Sequence, residues 1–163
     1  MKTIIIYATK YGYTQDCVNE LKQQLKGDVL AVNILTDTIS NLDAFDNVII
    51  GGSIYMGQIQ KKLKGFCEKN LSTLLTKNVG LFLCSGLPEN FEQNLATAFP
   101  QELLDRAVSM ECFGGELRMD KMKGPDRIIS GMMRKAAAGQ GKADVKKMPE
   151  NIAKLSAAIN SEG

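Results

Sequence analysis

The chain has 163 residues, 44% of them hydrophobic and 23% charged, with a formal charge of +2 from 20 Lys and Arg against 18 Asp and Glu. That length supports one domain over residues 1–163 with a sizeable core, and no stretch approaches the ~18 apolar residues of a membrane-spanning helix. There is no His, and Cys17, Cys67, Cys84 and Cys112 form no Cys-x-x-Cys pair, which argues against a metal site and against His-dependent nucleophiles and general bases.

The cysteines therefore read as reduced, mostly buried thiols. Lys2 leads straight into apolar residues with no charged-then-apolar leader, so the expected compartment is the cytoplasm. No catalytic side chain stands out. A chain this poor in catalytic groups does redox work more readily than hydrolysis, provided a bound cofactor carries the electrons.

The first element is an apolar run. Ile4, Ile5 and Ile6 fit a strand covered on both faces, and the run breaks at Thr9-Lys10-Tyr11-Gly12-Tyr13-Thr14. Gly12 is the residue there that accepts positive φ, with the Thr9 and Thr14 hydroxyls on either side. Cys17, Val18, Leu21 and Leu25 then recur at helical spacing, so the loop feeds a helix N-terminus, where unpaired amides and the helix dipole favour a phosphate. A Walker loop or a three-glycine dinucleotide fingerprint is absent. Hydroxyl donors with no required cation suit a terminal monophosphate.

A short, alternating second strand over 28–34 is expected near a sheet edge, followed by a single capped turn over 40–46. Residues 47–52 form a third, fully apolar strand. Behind it, Ser53-Ile54-Tyr55-Met56-Gly57-Gln58 mixes an aromatic, a glycine and polar donors before a helix over 59–71. A fourth buried strand over 78–86 ends in Ser85-Gly86-Leu87, then Asn90 leads into a helix over 91–98 that Pro100 terminates. A fifth strand is predicted over 107–117 and a closing helix over 151–159. Alternating strands and helices predict an α/β fold, a doubly wound parallel sheet with helices on both faces.

The loop at Thr9, Gly12 and Thr14 resembles that of the flavodoxin family, Ser/Thr-x-Thr-Gly-x-Thr after the first strand, with Tyr11 where the family has its central Thr. The resemblance implies a flavodoxin-like five-stranded sheet of order 2-1-3-4-5 and FMN as cofactor. Its phosphate would sit on Thr9, Lys10, Tyr11, Gly12, Tyr13 and Thr14. The ring would lie between Ser53, Ile54, Tyr55, Met56 and Gly57 on one side and Ser85, Gly86, Leu87 and Asn90 on the other. Tyr55 is the candidate to stack on it, and Gly57 would let a peptide turn its carbonyl toward N5 of the reduced flavin.

The start Met-Lys-Thr-Ile, the stretch from Ile50 to Gly57, and Gly115-Glu116-Leu117 before Asp126-Arg127 are similar to the menaquinone-dependent protoporphyrinogen oxidase branch of that family. Residues 118–147 carry nine Lys or Arg against three Asp, a local +6 that leaves the rest of the chain at −4. Pro125 opens an expected helix there with Ile128, Ile129, Met132, Met133 and Ala136 as an apolar stripe. Where those oxidases carry a longer basic insert, this chain has the short acidic segment of Glu89, Glu92, Glu102 and Asp105. Two readings follow. One is an FMN-binding carrier passing electrons between partner proteins. The other is a quinone-linked flavin oxidase whose basic region meets an anionic membrane surface or anionic substrate. A signalling receiver on the same fold would need an acidic cluster after the first strand, which is missing, and nothing points to nucleic acid.

Overall fold

The computed structural model describes residues 1–9, 11–115 and 147–162. Lys10 and almost all of the basic 118–147 stretch, with its apolar stripe, lie outside the described residues. Five strands, β1 (Lys2–Ala8), β2 (Asp28–Asn33), β3 (Asn47–Ser53), β4 (Asn78–Cys84) and β5 (Ser109–Cys112), pair in parallel in the order β2-β1-β3-β4-β5. The expected strand order is the observed one, with β2 at an edge.

Alternation along the strands sorts the core into two layers. Ile4, Ile6 and Ala8 of β1 share one face with Val48 and Ile50 of β3 and Val79, Leu81 and Leu83 of β4. That face is covered by α2 (Lys61–Lys69), α3 (Leu71–Leu74), α4 (Phe91–Ala98) and α5 (Gln101–Arg106) through Leu63, Cys67, Leu74, Leu95 and Leu103. Ile5, Tyr7, Ile49, Phe82 and Cys84 face the other way, onto α1 (Tyr13–Gln24) and α6 (Pro149–Ser161). Each fully buried Ile, Leu or Phe is worth about 1.5–3 kcal/mol, which is why β1, β3 and β4 read as continuous apolar runs.

Two contacts lock the second layer. The Phe82 ring lies over Gly51, so any β-carbon there would run into it, and it stacks on Phe113 with ring centres 4.6 Å apart. At the opposite rim of the sheet from the loops, Asn47 Nδ2 donates to Thr3 Oγ1 at 3.1 Å and Asn78 Nδ2 to Asn47 Oδ1 at 3.1 Å. This ties the N-terminal ends of β1, β3 and β4 together.

Three expectations are corrected. The fifth strand stops at Cys112 and does not continue through Leu117 in the described residues: Phe113 makes the last bond to β4, through its N–H to Leu83 O at 2.9 Å, and Gly114 turns the chain at φ 74°. The helix expected over 59–71 spans Lys61–Lys69, because Asn70 caps it, Nδ2 donating to Phe66 O at 2.9 Å, before the separate turn of α3. The closing helix is longer than expected at both ends, starting from Pro149. The turn over 40–46 is present, with Phe45 N–H donating to Leu42 O at 3.1 Å and Asn41 Oδ1 accepting from Asp43 N at 2.9 Å.

Candidate functional site

The sheet brings three loops to one rim. Ala8 pairs with Gly52 and Ser53 with Cys84, so the chain leaves β1, β3 and β4 side by side at their carboxyl ends. In a doubly wound sheet this switch point is where a ligand is held.

At the first loop, Gly12 takes φ 92° and its N–H donates to Thr9 Oγ1 at 3.0 Å. The loop closes on itself. Helix α1 starts as Asp16 N–H donates to Gly12 O at 3.2 Å, so the amides of Thr14 and Gln15 before it have no helical acceptor. Thr14 is fully buried, and its hydroxyl, although near enough to the Cys84 thiol to favour that group's charged form, makes no hydrogen bond of acceptable geometry. A buried hydroxyl without a partner costs about 1–3 kcal/mol, so its retention at a helix N-terminus fits a residue kept for an anion. The donor set therefore fits a phosphate. Tyr13 turns its ring into the second core layer, where its hydroxyl donates to Phe113 O at 2.7 Å, while Tyr11 stays half-buried at the loop.

The second loop is a tight reversal. Tyr55 and Gln58 exchange backbone bonds of 2.9 and 3.0 Å across Met56 at φ 53° and Gly57 at φ 73°. Two successive positive φ values are the requirement of a type I′ turn; Gly meets it freely, whereas Met does so at a cost of about 1–2 kcal/mol. The Met56 side chain is 57% exposed. Ser53 Oγ accepts from Gln60 Nε2 at 2.7 Å and Ile54 N–H donates to Cys84 O at 2.8 Å, which fixes the base of the loop to α2 and β4.

In the third loop, buried Ser85 accepts the Leu87 N–H on its hydroxyl at 3.2 Å, Gly86 is exposed, and a single 3₁₀ turn over Pro88–Asn90 leaves Asn90 at the surface. The backbone at Gly115 presses on this loop: a β-carbon there would lie 2.8 Å from Gly86 N. Gln60, Gly114 and Gly115 were not singled out as site residues from sequence. The Gly-Gly pair was the available signal, hidden by its placement inside the over-long fifth strand.

Cys17 and Cys84 sit in the second core layer, where burial pushes the Cys84 thiol well up, while the neighbouring Cys84 thiol, helped by the Tyr13 hydroxyl, holds that of Cys17 below its ordinary value. Burial also pushes up Cys112, partly offset by N–H groups of Gly114 and Ser85 pointing at its sulfur. Tyr7 is raised by burial and then by Asp37. Among the described residues there is no cluster of His, Cys, Asp or Glu able to hold a metal ion, and no helix long and apolar enough to cross a membrane.

The family model described as flavodoxin domain matches residues 4–144. Among solved structures, the chain is similar to the Streptococcus pneumonia TIGR4 flavodoxin, with a TM-score of 0.63, 13% identity and all of both chains covered. It is similar also to flavodoxin 2 of Bacillus cereus, with a TM-score of 0.60 and 18% identity over the whole of both chains. A third likeness is the Fusobacterium nucleatum flavodoxin bound to flavin mononucleotide, with a TM-score of 0.54 and 15% identity over 99% of this chain and 98% of that one. By sequence the chain is 25% identical to the protoporphyrinogen IX dehydrogenase [quinone] of Escherichia coli (strain K12) over 142 residues, 82% of this chain and 70% of that one.

Proposed function

The chain belongs to the flavodoxin domain family, and from that premise we propose that it works as a single domain that binds FMN and passes electrons between redox partner proteins. Bound FMN supplies the electron chemistry, accepting and giving up one or two electrons. The protein's own part is to hold and orient. The observation that carries the reading is the buried, unpartnered Thr14 hydroxyl at the N-terminus of α1, where amides and dipole favour a phosphate.

Thr9, Tyr11, Gly12, Tyr13 and Thr14 would hold the phosphate through hydroxyls and backbone amides, with Lys10 beside them in sequence. Ser53, Ile54, Tyr55, Met56 and Gly57 would line one side of the ring and Ser85, Gly86, Leu87 and Asn90 the other. Tyr55 would offer its ring face. The turn at Met56-Gly57 already lies in left-handed space, so reorienting its peptide toward N5 asks little further of the backbone. Support for FMN also comes from the Fusobacterium nucleatum flavodoxin, whose structure contains flavin mononucleotide.

A second reading, a quinone-linked flavin oxidase at a membrane surface, draws on the likeness to the Escherichia coli dehydrogenase. The first is preferred because it needs no catalytic side chain. Titration of the flavin-free chain with FMN and with riboflavin, followed by flavin fluorescence, tests it. Binding that depends on the phosphate, with the bound flavin then reduced and reoxidised by a carrier protein, is the expected result. Equal affinity for the two flavins would move the site away from the Thr9–Thr14 loop. Flavin reduction by protoporphyrinogen together with salt-sensitive binding to anionic vesicles would favour the oxidase.

A further inference from the structure

Four of the longer helices start as the helix dipole prefers, with an acidic residue in the first turn: Asp16 in α1, Glu92 in α4, Glu102 in α5 and Glu150 in α6. Helix α2 does the reverse. It has no acidic residue in its first turn and opens on Lys61 and Lys62, both exposed, with half-buried Lys64 next on the same end. Gln60 gives no side-chain cap: its Nε2 donates to Ser53 Oγ, and its buried Oε1 accepts no hydrogen bond from the helix. Among the described residues, none of the three lysines has an ion-pair or hydrogen-bond partner. Each cation at a helix N-terminus costs about 0.3–1 kcal/mol by the size of the dipole effect, so local stability does not explain them.

Their position does. Three residues separate Lys61 from the turn of Met56 and Gly57, where an apolar side chain is held 57% exposed on strained backbone. An exposed methionine a few residues before cations that have no partner among the described residues has the makings of an anchor with a charged rim. We infer that Met56 with Lys61, Lys62 and Lys64 forms the docking surface for an acidic partner protein, one carrying carboxylates around its own redox centre. This rests on the proposed electron-carrying function, since it sets the partner beside the proposed flavin edge.

Charge complementarity also orients the partner. On the same rim, exposed Glu89 and Glu92 follow β4 and exposed Asp37 follows β2. An acidic patch is drawn to the α2 side and repelled from the other two. Among the described residues this rim carries both signs, which favours a protein with a localised acidic patch over a broad anionic bilayer.

The test compares wild type with K61E/K62E and with K26E/K154E, a change of equal net charge at exposed lysines elsewhere. The FMN-loaded chain is titrated at low and high salt with an acidic iron–sulfur carrier, and electron transfer from that carrier is followed by stopped flow. Photoreduction by an uncharged deazaflavin serves as the charge-blind control. In wild type, association should slow with salt; in K61E/K62E it should fall by about tenfold at low salt and lose that dependence, as charge reversal at an interface rim predicts. Photoreduction should be unchanged, and thermal stability unchanged or higher, because glutamates suit a helix start. K26E/K154E should behave as wild type. Equal losses in both variants, or no loss in K61E/K62E, would overturn the assignment, as would binding to anionic vesicles that K61E/K62E abolishes while carrier binding persists. If the chain holds no flavin yet K61E/K62E still loses carrier binding, the docking surface stands and the FMN reading falls.

Discussion

Replacing Thr14 by Val separates two quantities that a merely structural threonine would move together. Thr14 is fully buried and its hydroxyl unpartnered, and Val keeps its shape while deleting the oxygen. Without cofactor, removing an orphaned buried hydroxyl relieves a desolvation cost of about 1–3 kcal/mol. Its nearness to the Cys84 thiol offsets part of that, so a gain of about 1 kcal/mol is expected, or about 2–4 °C in Tm for a chain of this size. With FMN present the sign reverses. A hydrogen bond to a charged phosphate is worth about 1.5–3 kcal/mol, so FMN should bind roughly 10- to 150-fold more weakly. Riboflavin, lacking the phosphate, should bind T14V and wild type alike. Thermal melts of the flavin-free chain and fluorescence titrations with both flavins give the two numbers. A T14V chain that melts several degrees lower and keeps its FMN affinity would refute the reasoning, because the hydroxyl would then be serving the fold.

Three further outcomes are expected. Gly57→Ala meets no atom within 4 Å of the new β-carbon, so its cost is the left-handed backbone alone, and urea unfolding of the flavin-free chain should show a loss of about 1–2 kcal/mol; no loss would mean that the turn does not need positive φ there. Tyr13→Phe deletes the buried donor to Phe113 O and should cost about 1 kcal/mol or more in urea unfolding, with little change in FMN affinity; a large affinity loss would put that hydroxyl at the cofactor. Burial, and then Glu68, pushes the Cys67 thiol from 9.0 up to about 12, so the unfolded chain loses that proton first: the stability is full below pH 9 and falls as pH rises toward 12, by about 1.4 kcal/mol per pH unit. Urea midpoints between pH 8 and 10 should decline accordingly, with Cys84, Cys112 and Tyr7 adding in the same direction, and Cys67→Ala should flatten the slope while lowering stability overall.

The strands of the core were legible because parallel strands buried on both faces leave a signal that needs no knowledge of contacts: Ile4 to Ile6, Val48 to Ile50 and Val79 to Leu83 are apolar without a break. Gly12 and Gly57 were legible as the residues free to take positive φ. Their neighbours were not. That Met56 shares the left-handed region follows from the closure of the Tyr55–Gln58 turn, and that Tyr13 points into the α1 and α6 layer follows from its bond to Phe113 O beyond β5, neither from local preference. The fifth strand was read too long because Phe113 and Leu117 bracket Gly114-Gly115 with apolar residues; the glycines turn the chain where β4 itself ends, and no partner remains to pair with. The broken charge rule at Lys61 and Lys62 becomes visible only once the start of α2 is fixed.

The central claim is that the three loops at the carboxyl ends of β1, β3 and β4 form an FMN site. Reconstitution of the flavin-free chain with FMN and, separately, with FAD, followed by gel filtration, tests it most directly. The account predicts that FMN travels with the protein at one per chain and that FAD is lost, since hydroxyl donors at the Thr9–Thr14 loop suit one terminal phosphate and the loop lacks the glycines that make room for a pyrophosphate. Retention of FAD with loss of FMN, or of neither flavin, would contradict it.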